Sequence, residues 1–248
     1  MATNKLCEAE SAGLRSALSA CELANQRGIK AELVIVLNGP NAKQLKEQVK
    51  EQVASINAKS PSVKILQSNL EQLTAALNFG LDRCSGAWIS RFDADDECLE
   101  DRLIQINELA CSNVDIIAAS AIYKNGKDEW LVKPLPLRRV LYLQTPFIHP
   151  AVTINTEFLR RIGGYAGFKY AQDYALALSA FDAGARYLIH HKPVIKYNVS
   201  EAQAEKYEMS IAMQIGTAVS RLIIKFDSTL FISIVLKIGR IFIRKAFY

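Results

Sequence analysis

Apolar and polar positions follow two different periods along this chain. From residue 8 to 26 the apolar residues Leu14, Leu18, Cys21 and Ala24 return at helical spacing, which predicts a helix with one buried face. "AELVIVLNGP" (31–40) is instead a β-branched run closed by Asn38-Gly39-Pro40, and predicts a buried strand that stops at a loop. A mostly polar surface helix is expected over 42–58, then a short strand at "VKIL" (63–66). In "NLEQLTAALNFGLDRCSG", Leu70, Leu73, Leu77 and Leu81 share a helical face, with Asn69 as N-cap and Gly86 just past the end. A strand over 87–92, a helix over 99–111 and the strand "VDIIAAS" follow. Strands alternating with helices argue for an α/β layer around a mainly parallel sheet.

The second half is less regular. "AIYKNGKDEWLV" predicts a hairpin, with Asn125-Gly126 suited to a type I′ turn. "HPAVTIN" predicts a strand, "TEFLRRIGGY" a short helix closed by Gly163-Gly164, and "AQDYALALSAFDAG" an apolar helix ending at Gly184. "RYLIH" and "VIKYNV" read as two further strands. No internal repeat or low-complexity linker interrupts the pattern. The simplest division is one domain over 1–200 with a helical extension over 201–248.

Half of the 248 residues are hydrophobic, enough for one large domain with a real core. The net charge of +5 is mild, and Lys225, Lys237, Arg240, Arg244 and Lys245 all lie in the tail, so nucleic acid is not an expected partner. The five cysteines are scattered without a CxxC pair, as in a reducing compartment. Residues 1–20 lack the apolar core of a signal peptide, and a cytoplasmic location is expected.

Candidate chemistry concentrates in "WISRFDADDE" (88–97), where an apolar run meets Asp93, Asp95 and Asp96. Carboxylates this close raise each other's pKa. In open α/β sheets ligands bind beyond the carboxyl ends of strands, and a hard cation such as Mg²⁺ or Mn²⁺ would neutralise the cluster. The plainer alternative is that Asp95 or Asp96 caps the following helix.

The run "LNFGLDRCSGAWISRFDADD" resembles the glycosyltransferase family 2 pattern A-x-N-x-G…G-x-[YW]-[IV]-x-R-x-D-A-D-D, through Ala76, Asn78, Gly80, Gly86, Trp88, Ile89, Arg91 and the acids 93–96. "PFIHPAVTINTEFLRRIGGY" and "AQDYALALSAFDAGARYLI" are similar to its acceptor-side segment and its E-D-x-D-L-W helix. The resemblance covers roughly residues 8–198 and is closest to bacterial transferases that build surface polysaccharides. It implies a GT-A (Rossmann-like) fold, a nucleotide-diphosphate sugar donor (a UDP-sugar foremost), and a Mn²⁺ or Mg²⁺ ion. It places Asp95 and Asp96 at the metal, Asp93, Arg91 and Asn38 at the donor, and His149 and Gln172 on the acceptor side. Asp173 maps onto the general base, which takes the acceptor proton during an inverting displacement; its alternative role is to cap the helix 174–182. His190 and His191 read as surface residues or, for one of them, a metal ligand.

The chain departs from the family pattern in three places. Gln172 replaces the usual Glu before the base, the aromatic of D-L-W is missing, and "MATNK" enters the first helix where a full first strand is usual. A truncated first strand is therefore expected, with neighbours left unpaired. In the tail, "LIIKFDSTLFISIVLKIGRIFIRKAFY" suits an interfacial helix with its lysines and arginines on anionic headgroups, or a helix packed on the protein. A saccharide or lipid-linked acceptor would place the enzyme peripherally at the inner face of the plasma membrane. Two rival readings stay open: a phosphatase with a DxD at a strand end, and a non-catalytic relative that kept the fold and the nucleotide-sugar binding.

Overall fold

The computed structural model describes residues 1–3, 8–56, 62–111, 113–166, 169–199 and 207–246. The expected boundary at 200–201 and the side chains of Arg244 and Lys245 lie outside what is described. The chain forms β1 (Ala2–Thr3), α1 (Glu8–Gln26), β2 (Glu32–Asn38), α2 (Ala42–Ser55), β3 (Ser62–Ser68), α3 (Leu73–Leu81), β4 (Trp88–Ser90), β5 (Glu97–Cys98) and α4 (Arg102–Leu109). The second half adds β6 (Ile116–Asn125), β7 (Asp128–Val132), β8 (Val152–Asn155), α5 (Thr156–Arg161), α6 (Gln172–Asp182), β9 (Tyr187–Asn198), α7 (Tyr207–Ile224) and α8 (Ser228–Ala246). Two 3-10 turns, Leu137–Tyr142 and His149–Ala151, precede β8.

Two sheets carry the domain. One is parallel, in the order β1-β2-β3; the other runs β4-β8-β6-β9-β5, with β7 also on β6. In the second sheet only β6–β9 is parallel. The fold is α/β as expected, around a mixed sheet. The predicted face of α1 is the buried one: Leu14, Leu18, Cys21 and Ala24 are each 5% exposed or less.

Between the two sheets lies a gap. Among the described residues, β1 pairs with β2 through Ala2 and Thr3, opposite Val36 and Leu37. Ahead of them the Met1 ammonium donates to Val34 O at 3.0 Å, and Val36 N–H donates to Met1 O at 2.9 Å. The rest of that β2 edge and the outer edge of β4 line a cavity of about 690 Å³.

Local details differ from the sequence expectation. Helix α3 starts at Leu73 with Gln72 at its N-cap, because Ser68 Oγ instead takes the Leu70 N–H in a turn. Gly86 lies five residues past the end of α3, where the Glu32 carboxylate accepts the Ser85 and Gly86 N–H groups. The β6–β7 turn is centred one residue later than Asn125-Gly126: Asn125 pairs with Asp128, and Gly126 alone takes positive φ (61°). A single positive φ at the first central position is the type II′ arrangement, not I′. The two strands expected at 186–199 are one, β9, with a register shift that lets Ser120 face Pro193.

The tail is a helical hairpin. Asp227 Oδ1 accepts the Leu230 N–H and so caps α8. Ala218 of α7 and Leu230 and Ile234 of α8 join the cluster that holds Phe158 and Leu176. Burying each Leu or Ile contributes about 1.5–3 kcal/mol, so the hairpin belongs to the domain's core. Lys237, expected on headgroups, turns inward and donates to Leu143 O at 2.7 Å and Gln214 Oε1 at 3.0 Å.

Candidate active site

The strand β4 delivers Arg91 and the acidic loop to the rim of a second cavity, of about 670 Å³. Arg91, Asp93, Asp95, His149, Gln172 and Asp173 all line it. Six of the eight residues expected at the site are therefore brought together, from segments as far apart as 91 and 173. Asn38 and Asp96 are not on this wall.

Each acid of the loop has a different environment. Asp93 is ion-paired with Arg91. Asp95 is exposed, and its backbone carbonyl accepts the Asn198 side-chain amide. Asp96 is 2% exposed and turned toward β9, where Oδ1 accepts the Asn198 N–H at 3.0 Å. Burial pushes its pKa up to about 8, with Asp93 adding to the effect. Its Oδ2 has no partner among the described residues. Helix α1 backs this loop. A Cβ on Gly13 would stand 2.0 Å from Ala94 O and 2.7 Å from Asp96 O, and Ser16 Oγ accepts the Cys98 N–H at 2.9 Å.

Arg91 is 4% exposed. Burial opposes its charge, and Asp93 more than restores it. Its backbone carbonyl accepts Arg102 Nη2 at 2.7 Å; Arg102 is itself 1% exposed.

Asp173 sits in the first turn of α6, two residues after Ala171, whose φ of 54° turns the chain into the helix. The N-cap position is Ala171, and the Asp173 carboxylate follows it within the first turn of the helix. Burial raises its pKa, opposed by hydrogen bonds from the Tyr174 N–H and the Thr145 hydroxyl and by the charge of Arg91. A carboxylate with raised pKa beside an open cavity is a stronger base than an exposed one.

His149 is 9% exposed, between Phe147 and Tyr165, with ring centroids 6.4 and 5.9 Å away. Burial, and then the Arg91 charge, lowers its pKa well below the usual range, so the ring is neutral. Its Nε2 has no partner among the described residues. Asn38 is 5% exposed and donates to Glu71 O at 3.0 Å, bracing the approach to α3. His190 hydrogen-bonds Gln105 at 2.7 Å, away from this cavity.

Several residues of the site were not legible in sequence. Thr145, Tyr123, Lys133 and Tyr197 also face the cavity. Asn78 is a structural clamp: its side chain both donates to Tyr165 O and accepts the Tyr165 N–H, each at 2.8 Å. Gly164, at φ 71°, leaves room for it, since a Cβ there would lie 2.5 Å from Asn78 Oδ1. A polar residue inside an otherwise apolar helix was the available signal.

A divalent ion is implied by the fold family. Among the described residues no group of three carboxylate, imidazole or thiolate side chains forms a protein cage for one. Mg²⁺-like ions are commonly held by one or two carboxylates together with substrate phosphates. Asp95 and Asp93, two oxygen donors on an open wall, fit that kind of site.

An α/β domain with carboxylates and a buried arginine at a strand end, facing a further carboxylate across one cavity, has a GT-A type architecture. A mannosyltransferase from Pyrobaculum calidifontis, solved with GDP-Man and Mn²⁺, shares the fold at a TM-score of 0.66 and 16% identity, over 89% of this chain and 62% of that one. Staphylococcus aureus TarS (residues 1–349) does so at 0.60 and 17%, over 86% and 63%. The sequence model of "Glycosyl transferase family 2" matches residues 14–173, and the chain belongs to that family. A UDP-Gal:alpha-D-GlcNAc-diphosphoundecaprenol beta-1,3-galactosyltransferase of Escherichia coli is 29% identical over 62% of this chain and 57% of its own length. The amylovoran biosynthesis glycosyltransferase AmsE of Erwinia amylovora is 30% identical over 66% and 63%. The chain spans about three fifths of the length of these curated relatives.

Proposed function

We propose that this chain transfers a sugar from a nucleoside-diphosphate donor, a UDP-hexose foremost, to a hydroxyl of a saccharide or lipid-linked acceptor in bacterial polysaccharide or glycolipid synthesis, with inversion. One observation carries this: Asp173, with its raised pKa, shares a single 670 Å³ cavity with Arg91, Asp93 and Asp95. The names of the relatives, and the UDP-GlcNAc and GDP-Man complexes of fold neighbours, support the donor class.

In this reading Asp173 accepts the proton of the acceptor hydroxyl as its oxygen attacks the anomeric carbon. The bond from that carbon to the diphosphate breaks, and the leaving diphosphate takes the electron pair. Arg91 and the rim residue Lys133 supply positive charge to the cavity. Asp95 and Asp93 would hold a divalent ion, which when bound offsets charge on the diphosphate. His149, neutral and with its Nε2 unpaired among the described residues, offers one polar atom to the bound sugar or acceptor, beside Gln172.

The exposed corner of the tail supports attachment to a membrane surface. Ile223, Ile224 and Phe226 are 82%, 88% and 73% exposed, beside Lys225. No described helix is long and apolar enough to cross a membrane. Apolar side chains beside a lysine suit an anionic interface, at the inner face of the plasma membrane.

The test is turnover. Purified protein with Mn²⁺, UDP-Gal, UDP-Glc or UDP-GlcNAc and a synthetic GlcNAc-diphospho-lipid should release UDP and form a disaccharide product. Asp95→Asn should abolish metal-dependent donor binding in calorimetry. Asp173→Asn should keep binding and lower turnover about 10²-fold or more. Donor binding without turnover would favour the non-catalytic alternative. Unchanged turnover in Asp173→Asn would place the base elsewhere.

A further inference from the structure

We infer that Lys237 of the tail is a positioning residue of the candidate active site, holding the loop that presents Thr145 to Asp173; this rests on the reading of Asp173 as the base.

The 3-10 turn 137–142 ends at Leu143, which is 2% exposed and has φ 53°, ψ 43°. A non-glycine residue in the left-handed region is strained and persists only where its surroundings hold it. The Leu143 N–H is used, donating to Val140 O at 3.0 Å. Its carbonyl lies past the end of the turn, where no helical N–H can reach it. Lys237 fills that need from α8, 94 residues away in sequence. Its second bond, to Gln214 of α7, ties both tail helices to the same point. A bond from an ammonium to a buried carbonyl is stronger than one between neutral groups.

Two residues beyond Leu143 is Thr145, which lines the same cavity as Asp173 and helps hold down the pKa of its carboxylate. Pro146, Phe147 and His149 then continue along the cavity wall. The other end of the turn is held from α6, where Tyr174 Oη donates to Val140 O at 3.2 Å. The loop is thus fixed between the helix that carries Asp173 and the tail. Leu230 and Ile234 set α8 in the core, and Lys237 lies one turn further along their face. Without its ammonium, the Leu143 carbonyl would be buried unpaired and the strained turn would relax. Thr145 would then lose its place beside Asp173.

The test compares Lys237→Met, which keeps the stem and removes the donors, with Lys237→Arg, which keeps a donor. Amide hydrogen exchange over residues 143–149 needs no substrate. It should accelerate at least about tenfold in Lys237→Met and stay near the parent rate in Lys237→Arg. With UDP-Gal as donor, Lys237→Met should lower kcat about tenfold at unchanged donor KM, and Lys237→Arg should recover most of it. A role confined to overall stability would not split kcat from KM in this way. If Lys237→Met does not fold, Lys237→Gln is read by the same two measurements. Unchanged exchange over 143–149 in a folded variant overturns the inference. So does a kcat equal to the parent's in an active enzyme. Faster exchange in a chain whose parent shows no turnover would instead overturn the catalytic reading and leave only a structural clamp.

Discussion

The gap beside β2 makes a quantitative prediction. The perturbation is an engineered extension of five β-branched apolar residues ahead of Met1, continuing β1 between the β2 and β4 edges. Five extended residues span about 17 Å. Their side chains would enter a cavity lined by Leu33, Val34, Val36 and Ile89. Burial contributes about 2 kcal/mol per side chain, or about 10. Ordering five residues costs about 1.5 kcal/mol each, or about 8. Backbone hydrogen bonds to the two open edges then add about 0.5–1.5 kcal/mol apiece. The net gain is a few kcal/mol. A further contribution depends on pH. With Met1 as first residue, its ammonium sits in the gap, and burial lowers its pKa from 8.0 to about 6. The unfolded chain therefore binds more protons between those values, so stability rises with pH from about 6 to 8 and is lost as pH falls through that window. The full difference is about 3 kcal/mol, at roughly 1.4 kcal/mol per pKa unit. In the extended chain that nitrogen is an amide, and this slope disappears. Asp96 contributes a slope of opposite sign, but to both chains, so the comparison between them isolates Met1. Thermal melts at pH 6 and pH 8.5 read both effects. At about 2–4 °C per kcal/mol for a chain of this size, the extension should raise Tm by about 10 °C or more at pH 6 and by less at pH 8.5. An extended chain that melts no higher, or a difference that does not narrow with pH, refutes the reasoning.

Gly13→Ala should be among the most damaging small substitutions in the chain. Its Cβ would overlap Ala94 O and Asp96 O, so α1 or the acidic loop must move; a loss of about 1–3 kcal/mol in denaturant melts, with weaker Mn²⁺-dependent UDP binding, is expected, and parent-like values for both would contradict the packing. Asp96 is protonated at neutral pH in this structure, because its folded pKa of about 8 lies above the unfolded 3.8; its stabilising contribution is complete below 3.8 and lost as pH rises toward 8. Asp96→Asn should therefore raise Tm at pH 8 and change little at pH 4, and a lower Tm at pH 8 would show that the charged form is the one the fold uses. Replacing Ile223, Ile224 and Phe226 together by Ser should leave the fold intact and reduce cosedimentation with anionic liposomes at least about tenfold, whereas equal sedimentation would remove the membrane reading.

What the sequence revealed tracks how far apart the deciding partners lie. The faces of α1 and β2 follow from spacing within one element, and Leu14, Leu18, Ile35 and Leu37 are each buried to within 1% of completely. Asp227, capping α8, was an equally local signal that splits the tail into two helices, and it was overlooked because the apolar run reads as continuous across it. The break expected in β9 had a local reason too: His191, Lys192 and Pro193 interrupt an apolar pattern, and a register shift absorbs them without ending the strand. The acidic loop shows where local reasoning stops. Repulsion among Asp93, Asp95 and Asp96 was legible, and Asp93 does raise the pKa of Asp96; burial is the larger cause, and the hydrogen bond from the Asn198 N–H, 102 residues away, opposes it. Spacing cannot tell which of three neighbouring acids turns inward. The same holds for Lys237, where a basic residue in an apolar helix is equally compatible with a headgroup and with Leu143 O. A charged side chain selects whichever partner the rest of the fold brings within about 3 Å. Its identity therefore fixes the kind of bond it makes, and only the tertiary structure fixes where that bond is made.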